Sequence, residues 1–181
     1  MKLWLARHAQ PLIASGICYG ATDVPADAQA TLDAARTLSL ALPFGLLVVT
    51  SSLQRCELLK QSLQALRPDL SYKTDTRLVE MNFGTWEGQR WDAIEQAELA
   101  RWTDQFGDYA CGAAESVGQF MARVGAVWDE TLAAGQDSVW ITHAGVIRAA
   151  TLLAQGIRTP SRAQQWPHQA PGFGQWCELE I

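Results

Sequence analysis

Two arginines and two histidines stand where three apolar segments of the chain end. Arg7 and His8 follow the first segment. Arg55 lies a few residues after the second, and His143 directly follows the third. These segments have the length and the continuous apolar character of strands buried on both faces of a parallel sheet. Because ligands of α/β sheets bind at the carboxyl ends of the strands, we expect these four side chains to lie together.

This set of side chains suits phosphoryl chemistry. Neighbouring guanidinium groups repel each other, and a phosphate held by their forked N–H donors is the usual reason for bringing them together. A histidine beside Arg7 and Arg55 is predicted to be neutral at pH 7, because a like charge disfavours the imidazolium. Its free ring nitrogen could attack phosphorus while the other nitrogen donates to a backbone carbonyl. On this reasoning either His8 or His143 is a candidate nucleophile.

Phosphoryl transfer also needs a proton donor for the leaving oxygen, and residues 78–88 contain two carboxylates. Glu80 lies among apolar residues, so we expect it to be partly desolvated and to act as the acid. Glu87, next to Gly88, is predicted to be a turn or cap residue. Upstream, Ser51 and Gln54 have the spacing of a capping box, which would place Arg55 in the first turn of a helix.

Apolar periodicity predicts the elements that position these residues. Strands are predicted at 2–6, 46–50 and 138–142, with shorter ones at 71–73 and 176–181. Helices are predicted at 28–41, 52–66, 91–106, 115–133 and 144–155. The fourth helix has the clearest apolar face, formed by Val117, Phe120, Met121, Val124, Val127, Trp128 and Leu132. The alternation predicts an α/β three-layer sandwich, with a mostly parallel central sheet and helices on both faces, in one domain covering residues 1–181.

Composition excludes several classes of protein. The chain has 181 residues, of which 48% are hydrophobic and 18% charged, so it is not intrinsically disordered. A net charge of −5 argues against nucleic acid as a partner. Four cysteines without a C-x-x-C pair and three histidines without H-x-x-H spacing predict no metal. No run reaches the roughly 18 apolar residues of a membrane span, so we expect no membrane partner and a cytoplasmic location.

Four blocks of sequence resemble the motifs of the histidine phosphatase superfamily, which includes the cofactor-dependent phosphoglycerate mutases. In the order found in that family they are residues 5–9 (LARHA), 51–55 (SSLQR), 80–88 (EMNFGTWEG) and 142–145 (THAG). The resemblance covers most of the chain. It implies a phosphoglycerate mutase-like fold and a phosphomonoesterase that needs no metal or other cofactor.

The resemblance also implies roles for individual residues. His8 would be the nucleophile and would form a phosphohistidine. Arg7, Arg55 and His143 would hold the phosphoryl oxygens. Glu80 would protonate the leaving oxygen and then activate the hydrolytic water. This is nucleophilic catalysis assisted by fixed positive charge.

Backbone N–H groups of Ala144 and Gly145, at the start of a helix, would add donors for the phosphate. The chain also departs from the family pattern. Members commonly carry R-H-G-E-T and an asparagine seven residues after the arginine, whereas this chain has AQP at 9–11 and Ala14 at the seventh position. One side-chain contact to phosphate is therefore missing, and backbone groups of residues 15–16 are candidates to replace it.

Residues 16–25 (GICYGATDVP) are similar to the substrate loop of the alpha-ribazole phosphatase branch, which acts late in cobalamin synthesis. The resemblance implies that the substrate, a small-molecule phosphate ester, is alpha-ribazole 5′-phosphate or cobalamin 5′-phosphate. Tyr19, Gly20 and Thr22 would contact it, and Tyr19 or Trp86 could stack on its base. Three alternatives stay open: a broad-specificity phosphatase, a phosphohistidine-protein phosphatase, and a non-catalytic sensor of phosphate ligands on the same fold.

Two further residues are expected to be structural, and the oligomeric state is left open. Arg148 follows His143 by five residues, and we expect it to form a salt bridge or to pack its aliphatic stem. His168 lies in a loop rich in proline and glycine and is expected to be structural or solvated.

Overall fold

A five-stranded sheet forms the centre of the computed structural model, which describes residues 1–181. In chain order the elements are β1 (Lys2–Arg7), α1 (Ala28–Ala41), β2 (Leu47–Thr50), α2 (Gln54–Leu66), β3 (Ser71–Thr74), α3 (Gln96–Asp104), β4 (Ala110–Cys111), β5 (Glu115–Ser116), α4 (Val117–Ala134), β6 (Ser138–Thr142), α5 (Ala144–Ala154) and β7 (Trp176–Glu180). No helix combines the length and the apolar composition needed to cross a bilayer.

The strand order is β3-β2-β6-β1-β7, and the first four strands are parallel. Only β7 runs antiparallel, beside β1. In the register of β1 and β6, Arg7 lies opposite Thr142. The two histidines that follow these strands therefore emerge next to each other. The predicted mostly parallel sheet is confirmed, and its central pair of strands brings His8 and His143 together.

Helices cover both faces of the sheet, as predicted. Side chains alternate across the sheet because successive residues of a strand point to opposite faces. On β1, Trp4 and Ala6 pack in one core with α1 and α2, while Leu3 and Leu5 pack in the other core with α4 and α5. This arrangement is the predicted three-layer sandwich.

Two predicted helices differ in extent. Residues 91–106 do not form one helix, because the backbone is extended at Ile94 and a 3-10 turn over Trp91–Ala93 precedes α3. Helix α4 begins at Val117 rather than at residue 115. Ser116 caps it through a capping box with Gln119, and the preceding pair of residues belongs to the hairpin of β4 and β5. At the other end of α4, the predicted core residue Leu132 is 41% exposed.

The predicted capping box at the start of α2 does not form. The helix starts at Gln54 after an uncapped Leu53. The Ser51 hydroxyl lies 2.8 Å from Nε2 of His143, and the Gln54 amide donates to the carbonyl oxygen of Asp23. Both side chains thus form hydrogen bonds to residues at the carboxyl edge of the sheet and do not cap the helix. Arg55 is nevertheless in the first turn, as expected.

Candidate active site

His8 is buried at the end of β1 and has one free ring nitrogen. Its Nδ1 lies 2.8 Å from the carbonyl oxygen of Ala9. Because a carbonyl oxygen only accepts, Nδ1 must carry the hydrogen and Nε2 must carry a lone pair. The backbone of His8 is fixed by hydrogen bonds with Thr142 and Gly174. Nε2 has no protein partner, and His8 lines a cavity of about 420 Å³.

The two buried histidines, His8 and His143, are neutral at physiological pH. Burial, together with the positive charges of Arg55 and Arg7, lowers the pKa of His8 to about 3. Burial also lowers the pKa of His143 well below its ordinary value, again with a contribution from Arg55. The sequence prediction of neutral histidines is thus correct in direction, although desolvation outweighs the arginine charges on which that prediction was based.

Arg55 is fully buried, and its guanidinium is fixed by three hydrogen bonds. Nε donates to Nδ1 of His143 at 3.2 Å, and the two terminal nitrogens donate to the carbonyl oxygens of Thr22 and Gly20 at 2.8 and 2.7 Å. A guanidinium has five N–H groups, so two are left for a ligand. Arg55 also lines the cavity.

Arg7 approaches the cavity from the end of β1. Its guanidinium lies over the ring of Phe173 at 3.9 Å and donates to the carbonyl oxygen of Pro171 at 3.0 Å. Its Nε is buried without a hydrogen-bond partner. A buried donor without an acceptor is costly, and an anion in the cavity would satisfy it.

The cavity contains a third arginine, Arg148, and none of the three pairs with a carboxylate. Seven other arginines each pair with a carboxylate: Arg36 with Asp33, Arg67 with Asp69, Arg77 with Asp75, Arg90 with Asp92, Arg101 with Glu98, Arg123 with Glu115 and Arg158 with Asp129. The remaining arginine, Arg162, also has no acidic partner and lies outside the cavity. Three of the four arginines without an acidic partner therefore line the cavity, which suits it to an anion.

Glu80 lines the same cavity. Its two carboxylate oxygens accept from the backbone N–H groups of Met81, at 3.0 Å, and of Gly145, at 2.9 Å. The second contact uses an N–H group that the sequence assigned to phosphate, so Gly145 is not a free donor. Ala144 lines the cavity, and its own N–H has no acceptor within helix α5 because it is the first residue of that helix.

The loop that carries Glu80 is held by a pair of residues that sequence reasoning missed. Arg123 on α4 donates to the carbonyl oxygens of Arg77, Val79 and Glu80 at 2.6, 2.6 and 3.0 Å. Glu115 accepts from Arg123 and from the backbone N–H of Asn82. Their spacing of eight residues gave no signal, because the backbone groups they bind lie far away in sequence.

His143 does not face the cavity, contrary to the expected contact with the phosphoryl group. It is fully buried, and both ring nitrogens are hydrogen-bonded to protein: Nδ1 to Arg55 and Nε2 to Ser51. Its ring lies 5.1 Å from that of His8. The structure therefore places His143 behind His8 and Arg55, because Ser51 and Arg55 occupy both of its nitrogens.

The loop over residues 16–25 contributes only in part as predicted. Tyr19 and Gly20 line the cavity. Thr22 does not: it is exposed, and its hydroxyl and N–H bind the carboxylate of Glu87. Glu87 also accepts from the N–H of Phe83, so this residue joins two loops and is more than a cap.

Three other expectations about the cavity wall need correction. Trp86 is 4% exposed and belongs to the core, so it cannot stack on a ligand. Residues 15–16 do not line the cavity; the first residue of this loop to do so is Ile17. Arg148 forms no salt bridge; it lines the cavity and donates to the carbonyl oxygen of His168, which also lines it.

No group of three or more histidine, cysteine or acidic side chains is arranged to hold a metal ion. All four cysteines are free thiols: Cys18, Cys56 and Cys111 are buried, and Cys177 is half-buried. Burial raises the pKa of Cys18 to about 12. At neutral pH this thiol is protonated and is a poor nucleophile or ligand.

Solved structures share this fold over nearly the whole chain. A mycobacterial glucosyl-3-phosphoglycerate phosphatase superposes with a TM-score of 0.80 at 25% identity, over 99% of this chain and 89% of that one. Protein TTHB049 from Thermus thermophilus superposes with a TM-score of 0.74 at 27% identity, over 99% of this chain and 94% of that one. A protein described as mycobacterial hydrolase 2 superposes with a TM-score of 0.81 at 25% identity, over 98% of this chain and 80% of that one. No significant sequence match to a curated protein was found.

The fold, the anion site and these relatives define a phosphatase, that is, a phosphoric monoester hydrolase. The sequence profile of the histidine phosphatase superfamily (branch 1) matches residues 3–177, so the chain belongs to this superfamily.

Proposed function

We propose that the enzyme hydrolyses phosphate monoesters through a phosphohistidine on Nε2 of His8. The observation that supports this most directly is the tautomer of His8. Its Nδ1–H is held by the carbonyl of Ala9, which leaves the Nε2 lone pair open to a cavity with three unpaired guanidinium groups. A neutral nucleophile beside fixed positive charge is what attack on a phosphate dianion requires.

In the first step, the Nε2 lone pair forms a bond to phosphorus while the bond from phosphorus to the ester oxygen breaks. Glu80, entering as the carboxylic acid, gives its proton to the leaving oxygen, so a neutral alcohol departs. Arg7 and Arg55 hold the equatorial oxygens with the N–H groups that have no protein acceptor. The N–H of Ala144 adds a further donor.

In the second step, the Glu80 carboxylate takes a proton from water, and the water oxygen attacks phosphorus. The bond between phosphorus and Nε2 breaks, its electron pair returns to His8, and inorganic phosphate leaves. His143 acts in this scheme through its neighbours, because it orients the guanidinium of Arg55. No step uses a metal ion.

For the substrate we propose alpha-ribazole 5′-phosphate or cobalamin 5′-phosphate. The support is the sequence of residues 16–25, together with the position of Tyr19 and Gly20 on the cavity wall next to Arg55. We also propose a cytoplasmic location, which suits a chain whose four cysteines are free thiols.

The mechanism is tested by trapping the intermediate. Wild-type enzyme mixed with a ³²P-labelled ester and quenched in alkali should carry label that is stable to base and released by acid. His8→Ala should carry no label and should lose turnover by about 10⁴-fold or more. Turnover that persists in His8→Ala, with normal folding shown by circular dichroism, would contradict the mechanism.

The substrate is tested by phosphate release in the presence of a chelator. We expect alpha-ribazole 5′-phosphate to be hydrolysed with a much higher kcat/KM than 3-phosphoglycerate or p-nitrophenyl phosphate. Equal, weak turnover of all three esters would contradict the substrate and would favour a broad-specificity phosphatase. Loss of activity with chelator would contradict metal independence.

A further inference from the structure

Much of the cavity wall is aromatic and has no part in the phosphoryl chemistry. We call this wall the aromatic lobe; it consists of Phe83, Trp91, Trp102, Phe106, Phe120 and Trp166. These side chains come from the loop after Glu80, the region of α3, helix α4 and the loop before β7. The fold thus gathers them from four separate parts of the chain.

The six rings form one continuous cluster, in which Phe106 and Phe120 are buried and the other four rings are partly exposed. Phe83 meets Trp91 edge-on at 5.2 Å, and Trp91 stacks on Trp102 at 6.5 Å with an interplanar angle of 16°. Trp102 in turn stacks on Phe106, which contacts Trp166, and Trp166 lies 6.3 Å from the ring of Phe120. None of these rings packs on His8, whose aromatic neighbours are a histidine and a phenylalanine outside the lobe. The lobe is therefore a surface distinct from the phosphate end.

The lobe keeps apolar surface in contact with the cavity. Phe83, Trp91, Trp102 and Trp166 are only partly buried, although they lie against the core. Covering such surface with a ligand contributes about 25 cal/mol to the binding free energy for each Å² removed from water. Aromatic rings also prefer stacked or edge-to-face arrangements, so the lobe favours a ligand ring in a defined orientation.

The chemistry of the lobe selects the kind of ligand. Phenylalanine has no polar atom and tryptophan only donates, so no side chain of the lobe can accept a hydrogen bond. The hydroxyl groups of a sugar or polyol would lose acceptors there, and a buried donor left without an acceptor weakens binding. A flat aromatic ring has no donor that would lose an acceptor there.

We infer that the leaving group of the substrate carries a flat aromatic or heteroaromatic ring, which binds in the aromatic lobe while the phosphoryl group lies between Arg7 and Arg55. The inference rests on the proposed phosphatase mechanism. It makes Trp91 and Trp102 residues that determine specificity. The benzimidazole base of alpha-ribazole belongs to this chemical class, whereas the sugar in the name of the mycobacterial relative does not.

The test compares two esters that release similar primary alcohols, 2-phenylethyl phosphate and glycerol 3-phosphate. Because the bond broken is the same, we expect the lobe to act mainly on KM. The aromatic ester should have a kcat/KM about tenfold higher or more, which corresponds to covering some tens of Å² of apolar surface. Trp102→Leu and Trp91→Leu should each raise KM for the aromatic ester and leave KM for glycerol 3-phosphate unchanged.

The same substitution at Trp176, which packs against the core on the other face of the sheet, is the matched control. Trp176→Leu should alter neither KM. If Trp102→Leu fails to fold, Trp91→Leu, on a 3-10 turn with no buried residue, supplies the same readout. Values of kcat/KM for the two esters within about twofold of each other would overturn the inference.

Turnover of neither ester, with alpha-ribazole 5′-phosphate and p-nitrophenyl phosphate also inert, would instead overturn the proposed function. The lobe is then tested separately by quenching of tryptophan fluorescence with 2-phenylethyl phosphate. Quenching by this ester, absent with glycerol 3-phosphate and reduced in Trp91→Leu, would support the lobe as a binding site. Equal quenching by both esters, or no quenching, would overturn it.

Discussion

His8 owes its proposed reactivity to one hydrogen bond and to its buried surroundings. The carbonyl of Ala9 fixes the hydrogen on Nδ1, and burial beside Arg55 keeps the ring neutral. Glu80 is fixed in a comparable way by two backbone N–H groups. In the proposed mechanism, these contacts aim Nε2 of His8 at phosphorus and the Glu80 carboxyl group at the leaving oxygen.

Gly145 offers a test of this placement. A Cβ at this position would collide with Oε1 of Glu80 and come within 2.9 Å of its Cδ, so Gly145→Ala must displace the carboxylate. We expect kcat to fall by about 10²-fold or more, the usual contribution of a positioned acid or base, with little change in unfolding temperature. Steady-state kinetics and thermal unfolding check this prediction.

Gly125→Ala is the control for Gly145→Ala. It makes the same change in helix α4, where the new methyl group would meet only Arg158 at 3.5 Å and Leu153 at 3.8 Å. Activity should be unaffected. A Gly145→Ala enzyme as active as this control would show that Glu80 is not the acid, or that its present position is not needed.

At the scale of elements, the position of Glu80 depends on helix α4, which holds the loop that carries Glu80 by hydrogen bonds from Arg123. Arg123 binds three carbonyl groups between residues 77 and 80, and its pair with Glu115 is half-buried. These bonds fix the backbone on both sides of the Glu80 side chain. Arg123 contacts no reacting atom, so it is a positioning residue.

Replacing Arg123 with methionine should loosen this loop. Three carbonyl groups would lose their donor, and we expect the free energy of unfolding to fall by about 1–3 kcal/mol. We expect kcat to fall about tenfold or more while KM changes by less than about threefold, because the phosphate donors stay in place. Kinetics and urea unfolding measure both effects, and Arg123→Lys should restore part of kcat.

Arg158→Met is the matched control, since Arg158 pairs with Asp129 of the same helix but on the surface. An exposed pair of this kind contributes about 0–1 kcal/mol. Equal losses of kcat in the two variants would mean that Arg123 has only a structural role.

At the scale of the whole molecule, two buried neutral histidines link folding to pH. The folded protein holds His8 neutral down to a pKa of about 3, whereas an unfolded histidine takes up a proton near pH 6.5. Between these values the unfolded state binds more protons, so the free energy of unfolding falls as the pH falls from 6.5. His143 acts in the same direction.

Urea unfolding at pH 7.5 and pH 5 checks this linkage. His8→Asn, which keeps a donor near the position of Nδ1, removes the titrating group. From pH 7.5 to pH 5 the wild type should lose about 2 kcal/mol more than the variant, given about 1.4 kcal/mol per pH unit below the unfolded pKa. Parallel losses in the two proteins would contradict a buried neutral His8 in the folded state.

The sequence by itself determined the layers and the meeting point of the main groups. Continuous apolar strands and periodic helices are local patterns, so the parallel sheet and the two covered faces followed from them. His8, Arg7 and Arg55 were placed together because they come at the ends of strands. Their distance from a predicted strand end can be read directly from the sequence, so their meeting at one edge of the sheet could be predicted.

The tertiary structure alone decided which way side chains at that edge point and what they contact. His143 is hydrogen-bonded to Ser51 and Arg55, and Thr22 to Glu87. These partners lie far away in sequence, so no local pattern in the sequence indicated them. The aromatic lobe likewise joins four segments that no spacing links. Local patterns determine elements, but hydrogen bonds and packing between distant residues are fixed only when the elements meet.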